Sequence, residues 1–228
     1  MKNVEDVAVI IFARLNSKRI PQKMTRAFAG TTLLDILVEK LNASKMIPKQ
    51  NIYLFAHETE LINIGKNNGI RILKRSVKSA NSDSDLRIIH EWHDKIDYTY
   101  VVSVNACLPF LSIETIDNFF KYYLKTEHEG LFGVVKKKNY YWDQSLRLMT
   151  SAPENKQAPN TRTASEIFEA AHCLYASKID WIKQGIWLGT FNKPNDPELF
   201  VVDESEVFDI DYPWQFEFAE SVYLHRNI

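Results

Sequence analysis

An unbroken apolar run, Val7-Ala-Val-Ile-Ile-Phe-Ala13, leads directly into the polar, cationic stretch Arg14-Leu-Asn-Ser-Lys-Arg-Ile-Pro-Gln-Lys23. A short β-branched run of this kind reads as a strand buried on both faces, as in the middle of a parallel sheet. Its end delivers Arg14, Lys18, Arg19 and Lys23 to one edge of that sheet. Open α/β sheets bind ligands at the carboxyl ends of their strands. Four cations there point to an anionic ligand. Phosphate matches the planar fork of arginine and the point charge of lysine best. A solvated basic loop is the plainer alternative, and the loop's position straight after a buried strand weighs against it.

The positive charge that matters is local. Lys and Arg number 28 and Asp and Glu 29, so the 228-residue chain carries a net charge of −1. That balance argues against a nucleic-acid coat and against a polybasic membrane anchor. Hydrophobic residues make up 45%, enough for a substantial core in one domain covering residues 1–228. Cys107 and Cys173 sit in no metal-ligand spacing and read as two reduced thiols. The apolar run at Val7 is far short of a membrane span. The expectation is a soluble, cytoplasmic protein.

Strand-like and helix-like segments then alternate. Val7–Phe12, Ile52–Ala56, Ile70–Leu73 and Tyr100–Val104 read as strands. Thr32 is placed to cap a helix over Leu33–Ala43, and Ser112 one over Ile113–Lys125. Glu60–Asn67 reads as a helix stopped by Asn68-Gly69, and Leu86–His93 as another helix. This βα rhythm predicts a mostly parallel sheet with helices on both faces, a three-layer α/β sandwich. After Gly130 the rhythm changes: Leu131–Val135 is strand-like, and 139–163 is an aromatic then polar excursion containing Pro153 and Pro159. The chain returns with strand-like Phe168–Tyr175, a short helix at Ile179–Gln184 and a strand at Phe200–Val202. Pro213 marks the start of a last helix reaching about His225.

Just before that helix stands Phe208-Asp-Ile-Asp211. Read as a strand, it turns Ile210 inward and presents Asp209 and Asp211 on one side. Two carboxylates side by side suit a hard divalent cation such as Mg²⁺, which keeps waters and adds substrate phosphates. Taken alone, the pair is better explained as one helix cap and one exposed acid. Together with the cationic loop it reads differently, because phosphate-binding cations plus a metal-binding carboxylate pair are what nucleotidyl transfer requires.

These same residues carry a resemblance. Ala13–Lys23, followed by Phe28-Ala-Gly30 and Leu33-Leu-Asp35, resembles the opening motif of the acylneuraminate cytidylyltransferases (CMP-sialic acid synthetases) and of the related CMP-KDO synthetases. Phe208–Glu220 resembles the closing Asp-Ile-Asp segment and helix of the same superfamily. The resemblance implies a Rossmann-like, GT-A-like nucleotidyltransferase fold with a dimerisation arm at residues 136–165, and hence a homodimer. It implies CMP transfer from CTP to an acidic 2-keto sugar with Mg²⁺. By position it makes Arg14, Lys23 and Asp211 catalytic and Asp209 and Asp211 the metal ligands. Ala13, Arg14, Asn16, Ser17, Lys23, Arg75, Ser82 and Asn105 fall to the nucleotide, and His172 to the sugar pocket.

The chain departs from the family pattern in the middle. Asn105-Ala-Cys-Leu-Pro109 stands where sialic acid synthetases carry Gln-Pro-Thr-Ser-Pro, so a shorter amide replaces the base-reading glutamine. Cys107 falls near an acidic metal ligand of the CMP-KDO synthetases, and Met24 replaces an asparagine. On the sequence, the reading is a cytidylyltransferase for a nonulosonate of the sialic acid type. A nucleotidyltransferase for another sugar, sugar phosphate or small metabolite is one alternative, and a catalytically inactive relative acting as a scaffold is the other.

Overall fold

The computed structural model describes residues 1–151 and 158–226. In chain order the strands are β1 (Val7–Phe12), β2 (Ala27–Phe28), β3 (Thr31–Thr32), β4 (Ile52–Ala56), β5 (Arg71–Lys74), β6 (Tyr100–Val104), β7 (Leu131–Lys138), β8 (Glu166–Lys178) and β9 (Glu198–Val202). The α-helices are α1 (Leu33–Asn42), α2 (Thr59–Asn67), α3 (Val77–Ala80), α4 (Leu86–Ile89), α5 (Ile113–Lys125), α6 (Ile179–Lys183) and α7 (Pro213–Arg226). No helix among the described residues is long and apolar enough to cross a membrane.

Seven strands form one sheet in the order β5-β4-β1-β6-β8-β7-β9, while β2 and β3 pair separately. β1 is parallel to both β4 and β6, β4 to β5, and β7 to β9; β8 alone runs antiparallel to its neighbours. The sheet is therefore mostly parallel, as the βα alternation predicts. The period-2 alternation of β1 sends Val7, Val9 and Ile11 to one face and Ala8 and Ile10 to the other. The first face packs under α1, α5 and α7; the second packs against Trp92, Ile179 and Ile182.

Local signals explain the helix starts. Thr32 Oγ1 accepts the Asp35 amide at 3.1 Å and donates to the Asp35 carboxylate at 2.7 Å, capping α1. Ser112 Oγ accepts the Thr115 amide at 3.1 Å to cap α5. Glu206 accepts from the Ser112 amide, the Ser112 hydroxyl and the Thr115 hydroxyl, tying the segment after β9 to α5.

Three expectations change. The single helix expected over Leu86–His93 breaks at His90 into α4 and a 3₁₀ turn at Glu91–Asp94. The core requires both His90 and Trp92 to point inward, and residues two apart on an α-helix do not share a face. Phe208–Asp211 is not a strand: it has no ladder partner and runs as a loop into α7. Ile210 is still buried between two more exposed aspartates, because its amide donates to Cys107 O at 3.1 Å. Gln215 Oε1 accepts the Asp211 and Tyr212 amides, so these backbone groups serve the helix start and not a sheet. Third, β8 extends beyond Phe168–Tyr175 and carries a bulge: Phe132 pairs with Tyr175 but Val134 with Ala170, and His172 takes φ +51°. Gly133 faces that bulge, where a Cβ would stand 3.2 Å from Cys173 Sγ and Leu174 O.

The excursion leaves the sheet at the ends of β7 and β8. Trp142 and Leu148 form an antiparallel bridge, and Trp142, Leu146 and Met149 are exposed. Pro153, with the rest of residues 152–157 of the expected arm, lies outside the described residues.

Candidate active site

The cationic loop leaves the end of β1 and folds back on itself. Ala13 N–H still bonds Phe55 O of β4 at 3.2 Å, and the Ser17 and Gln22 amides then donate to Leu15 O. Ile20 is the buried anchor, and the Leu15 amide donates to Glu58 Oε1 at 3.1 Å. This fold-back sends the four cations in two directions. Arg14 and Lys18 grip Asp83 at 2.8 and 3.0 Å, and Arg14 also reaches Ala80 O at 3.4 Å. Arg19 grips Asp211 at 2.6 Å. Lys23, mostly buried, donates to Ile210 O at 2.5 Å and lies 3.6 Å from Asp211. The hydrogen bonds and charges of Arg14 and Lys18 hold the Asp83 carboxyl down at about 2.

The segment that Arg19 and Lys23 meet is acidic. Asp209 is raised above the usual carboxylate range, first by burial and then by the charge of Asp211. Its Oδ1 is buried with no hydrogen-bond partner among the described residues. Cys107 borders Lys23, Asp209 and Asp211, and burial lifts its thiol to about 11. Among the described residues no group of three or more His, Cys, Asp or Glu side chains forms a ready-made metal cage. Two carboxylates, one with an unpartnered oxygen, nevertheless fit a hard cation that completes its shell with water and phosphate.

Beside the cationic loop opens a cleft of about 490 Å³. Ala13, Arg14, Ser17, Lys23, Arg75, Ser82 and Asn105 all line it. Asn16, His172, Asp209 and Asp211 do not; Asp211 reaches the cleft only through Arg19 and Lys23. Asn16 Nδ2 instead donates to Asn81 Oδ1 at 3.4 Å, and exposed His172 sits 3.3 Å from the Tyr175 hydroxyl. Arg75 is buried and donates to Ser79 Oγ and O, and burial pulls its guanidinium down to about 10. The Asn105 amide donates to His172 O and accepts from the Cys107 amide, both at 2.9 Å. Half its hydrogen-bonding capacity thus fixes the loop to the β8 bulge.

The sequence reading passed over other residues at the site. Lys40 of α1 donates to Pro109 O at 2.5 Å and Leu111 O at 2.9 Å, pinning the loop that carries Cys107. Burial pushes its ammonium down to about 8. His90, Ser103, Tyr175 and Trp187 line the inner end of the cleft. A serine inside the β-branched central strand was the one available signal for these.

The family model described as "Cytidylyltransferase" matches residues 8–222. A 3-deoxy-manno-octulosonate cytidylyltransferase of Rickettsia felis is 26% identical over 133 residues, 58% of this chain and 53% of that protein. The match thus spans about half the length of that curated relative. The structure of a CMP:2-keto-3-deoxy-manno-octonic acid synthetase complexed with CTP superposes with a TM-score of 0.69 at 10% identity, covering 97% of this chain and 99% of the other. A 4-diphosphocytidyl-2C-methyl-D-erythritol synthase from Anaerococcus prevotii gives 0.65 at 16% identity, covering 98% and 100%. At such identities the two structures speak for a shared fold.

Proposed function

The chain belongs to the cytidylyltransferase family, and from that premise we propose that it transfers CMP from CTP to an acidic 2-keto sugar, releasing pyrophosphate. The observation that carries the reading is the meeting of the two ends of the chain. Arg19 and Lys23, from the loop after the first strand, contact Asp211, just before the last helix. Arg19 and Lys23 line the cleft with cations for a triphosphate, and through them the carboxylate of Asp211, for its counter-ion, adjoins it.

In this reading Arg14 and Lys23 bind the triphosphate and stabilise the charge that develops on the departing pyrophosphate. Ala13, Ser17, Ser82, Arg75 and Asn105 surround the nucleotide, with Asn16 at its margin. The anomeric hydroxyl of the acceptor attacks the α-phosphorus; the new O–P bond forms as the α–β bridge breaks, and the hydroxyl proton is released. Asp209 and Asp211 would hold Mg²⁺, which when bound neutralises and aligns the phosphates. Asp211 would then share its carboxylate between the ion and Arg19.

Two acids are candidates for the acceptor: 3-deoxy-manno-octulosonate, for which the curated relative is named, and an acylneuraminate, the acceptor of the family whose end motifs this sequence resembles. His172, whose Nδ1 stands 3.3 Å from the hydroxyl of the cleft residue Tyr175, would face the acceptor. The aromatic excursion at 136–165, with Trp142 exposed, would pair two copies into a dimer. Pyrophosphate release with CTP and each acid tests the reading. Acid-dependent release with CTP supports it. Release only with another acceptor class would keep the nucleotide site and discard the sugar acid, and CTP-independent behaviour throughout would leave an inactive relative.

A further inference from the structure

The cleft has an inner lobe that phosphate binding does not use. Ser103 of β6 stands in register with Ile10 of β1 on one side and Tyr175 of β8 on the other. All three share the sheet face that carries Ala8 and Val101, with Phe12 one pleat further along. Above them lie His90, turned inward by the break after α4, and Trp187, beyond α6. Tyr175 and Trp187 stack at 4.6 Å and 25°, His90 stands 5.2 Å from Trp187, and Phe12 meets His90 edge-on at 4.9 Å. The result is an aromatic recess opening toward Arg14 and Asn105 within the same cavity.

Its floor is polar and unpartnered. Ser103 and His90 are 4% and 3% exposed, yet Ser103 Oγ and His90 Nδ1 have no hydrogen-bond partner among the described residues. Buried polar atoms are normally paired, and leaving one unpaired costs about 1–3 kcal/mol. Two in one recess leave hydrogen-bonding capacity that a ligand can take up.

The recess suits an uncharged group. Burial, reinforced by Arg75 and His93, holds the His90 ring down at about 3, so it is neutral at working pH. Arg75 turns its guanidinium to Ser79, and Leu86 and Ile89 close the rim.

The recess shares its cavity with Cys107, which borders the acidic segment. Burial raises the Tyr175 hydroxyl above its usual range, and the charges of Cys173, Asp209 and Cys107 add to it. Tyr175 shares the cavity lining with Cys107, and its hydroxyl stands 3.3 Å from Nδ1 of His172, the side chain read as facing the acceptor, while Arg14 and Lys18 of the nucleotide side make their contacts at Asp83. We propose that this lobe is a specificity subsite, in which Ser103 Oγ and His90 Nδ1 hydrogen-bond an uncharged hydroxyl or amide group of the acceptor against the Tyr175–Trp187 wall. The assignment rests on the CMP-transfer reading above.

Steady-state pyrophosphate release by full-length Ser103→Ala and His90→Phe, with 3-deoxy-manno-octulosonate and with an acylneuraminate, tests it. The KM for the acid should rise about 3- to 10-fold for each variant, the scale of one neutral hydrogen bond, with the KM for CTP unchanged. Ser103→Ala should melt no lower than wild type, because the atom it removes has no protein partner. It also keeps the test alive if His90→Phe folds poorly. A rise in the KM for CTP would assign the lobe to the base and overturn the proposal. Unchanged values for both substrates would overturn it too, since the lobe would then touch neither. Failure of the CMP-transfer reading would show as no acid-dependent release by the wild type, whereas failure of the subsite would show only in the variants.

Discussion

If CMP transfer is the function, Asp83 competes with the triphosphate for the cations it holds. Its carboxylate accepts from Arg14, which lines the cleft, at 2.8 Å and from Lys18 at 3.0 Å. Coulomb's law in water gives each contact about 1.5 kcal/mol. The side chains are half exposed for Asp83 and 81% exposed for Lys18, so solvent and salt screen both pairs. Exposed pairs are worth about 0.2–1 kcal/mol each, which puts the two together near 1 kcal/mol. A triphosphate that takes over Arg14 and Lys18 must displace this carboxylate or lie beside its charge. Asp83→Asn should therefore tighten CTP binding about fivefold at low salt, measured by titration calorimetry. The gain should shrink as ionic strength rises and the Debye length falls. Mild acid should not reproduce it, because the Asp83 carboxyl titrates at about 2 and stays charged at any working pH. Weaker CTP binding by Asp83→Asn would refute the argument and make Asp83 a group that positions Arg14 for the ligand.

Three further outcomes follow from the geometry. Asp211→Asn leaves Arg19 and Lys23 without their shared carboxylate, so pyrophosphate release should fall about 100-fold, the scale of one lost electrostatic contact to a transition state, while metal-free CTP binding persists. Lys40 titrates at about 8 in the folded chain against 10.5 ordinarily; between those values the unfolded chain holds a proton that the folded one lacks, so this group makes stability rise with pH. The rise amounts to about 3 kcal/mol, and the difference in urea unfolding between wild type and Lys40→Met across that range should display it. In Gly130→Ala the new Cβ falls 1.5 Å from Leu188 O, so the backbone next to Trp187 must move. Unfolding by urea should show a loss of about 1–3 kcal/mol, and the KM for the acceptor should rise.

What the sequence made legible was what local chemistry decides. β1 follows from an uninterrupted apolar run, α1 and α5 from hydroxyl caps at Thr32 and Ser112, and the start of α7 from Pro213. The clustering of Arg14, Lys18, Arg19 and Lys23 was visible for the same reason. Their division was not, because Asp83 and Asp211 lie 65–69 and 188–192 positions further along the chain and only the closed sheet brings them in. The loop at Phe208–Asp211 shows how a pattern misleads: burying Ile210 between two aspartates imitates a strand, while the backbone bonds that define one go to Cys107, Lys23 and Gln215. The break at His90 and the bulge at His172 answer to packing across the sheet. Neither leaves a local signal, and both shape the inner end of the cleft.

If the two ends of the chain build one CTP site, melting temperatures with each of the four nucleoside triphosphates, with and without Mg²⁺, will single out CTP. A ligand that binds only the folded chain adds about 2.7 kcal/mol at a hundredfold excess over its dissociation constant. The shift with CTP should exceed those with the other three, grow with Mg²⁺ in the wild type, and lose that growth in Asp211→Asn. Equal shifts with all four nucleotides, or none with any, would contradict a CTP site built by the two ends.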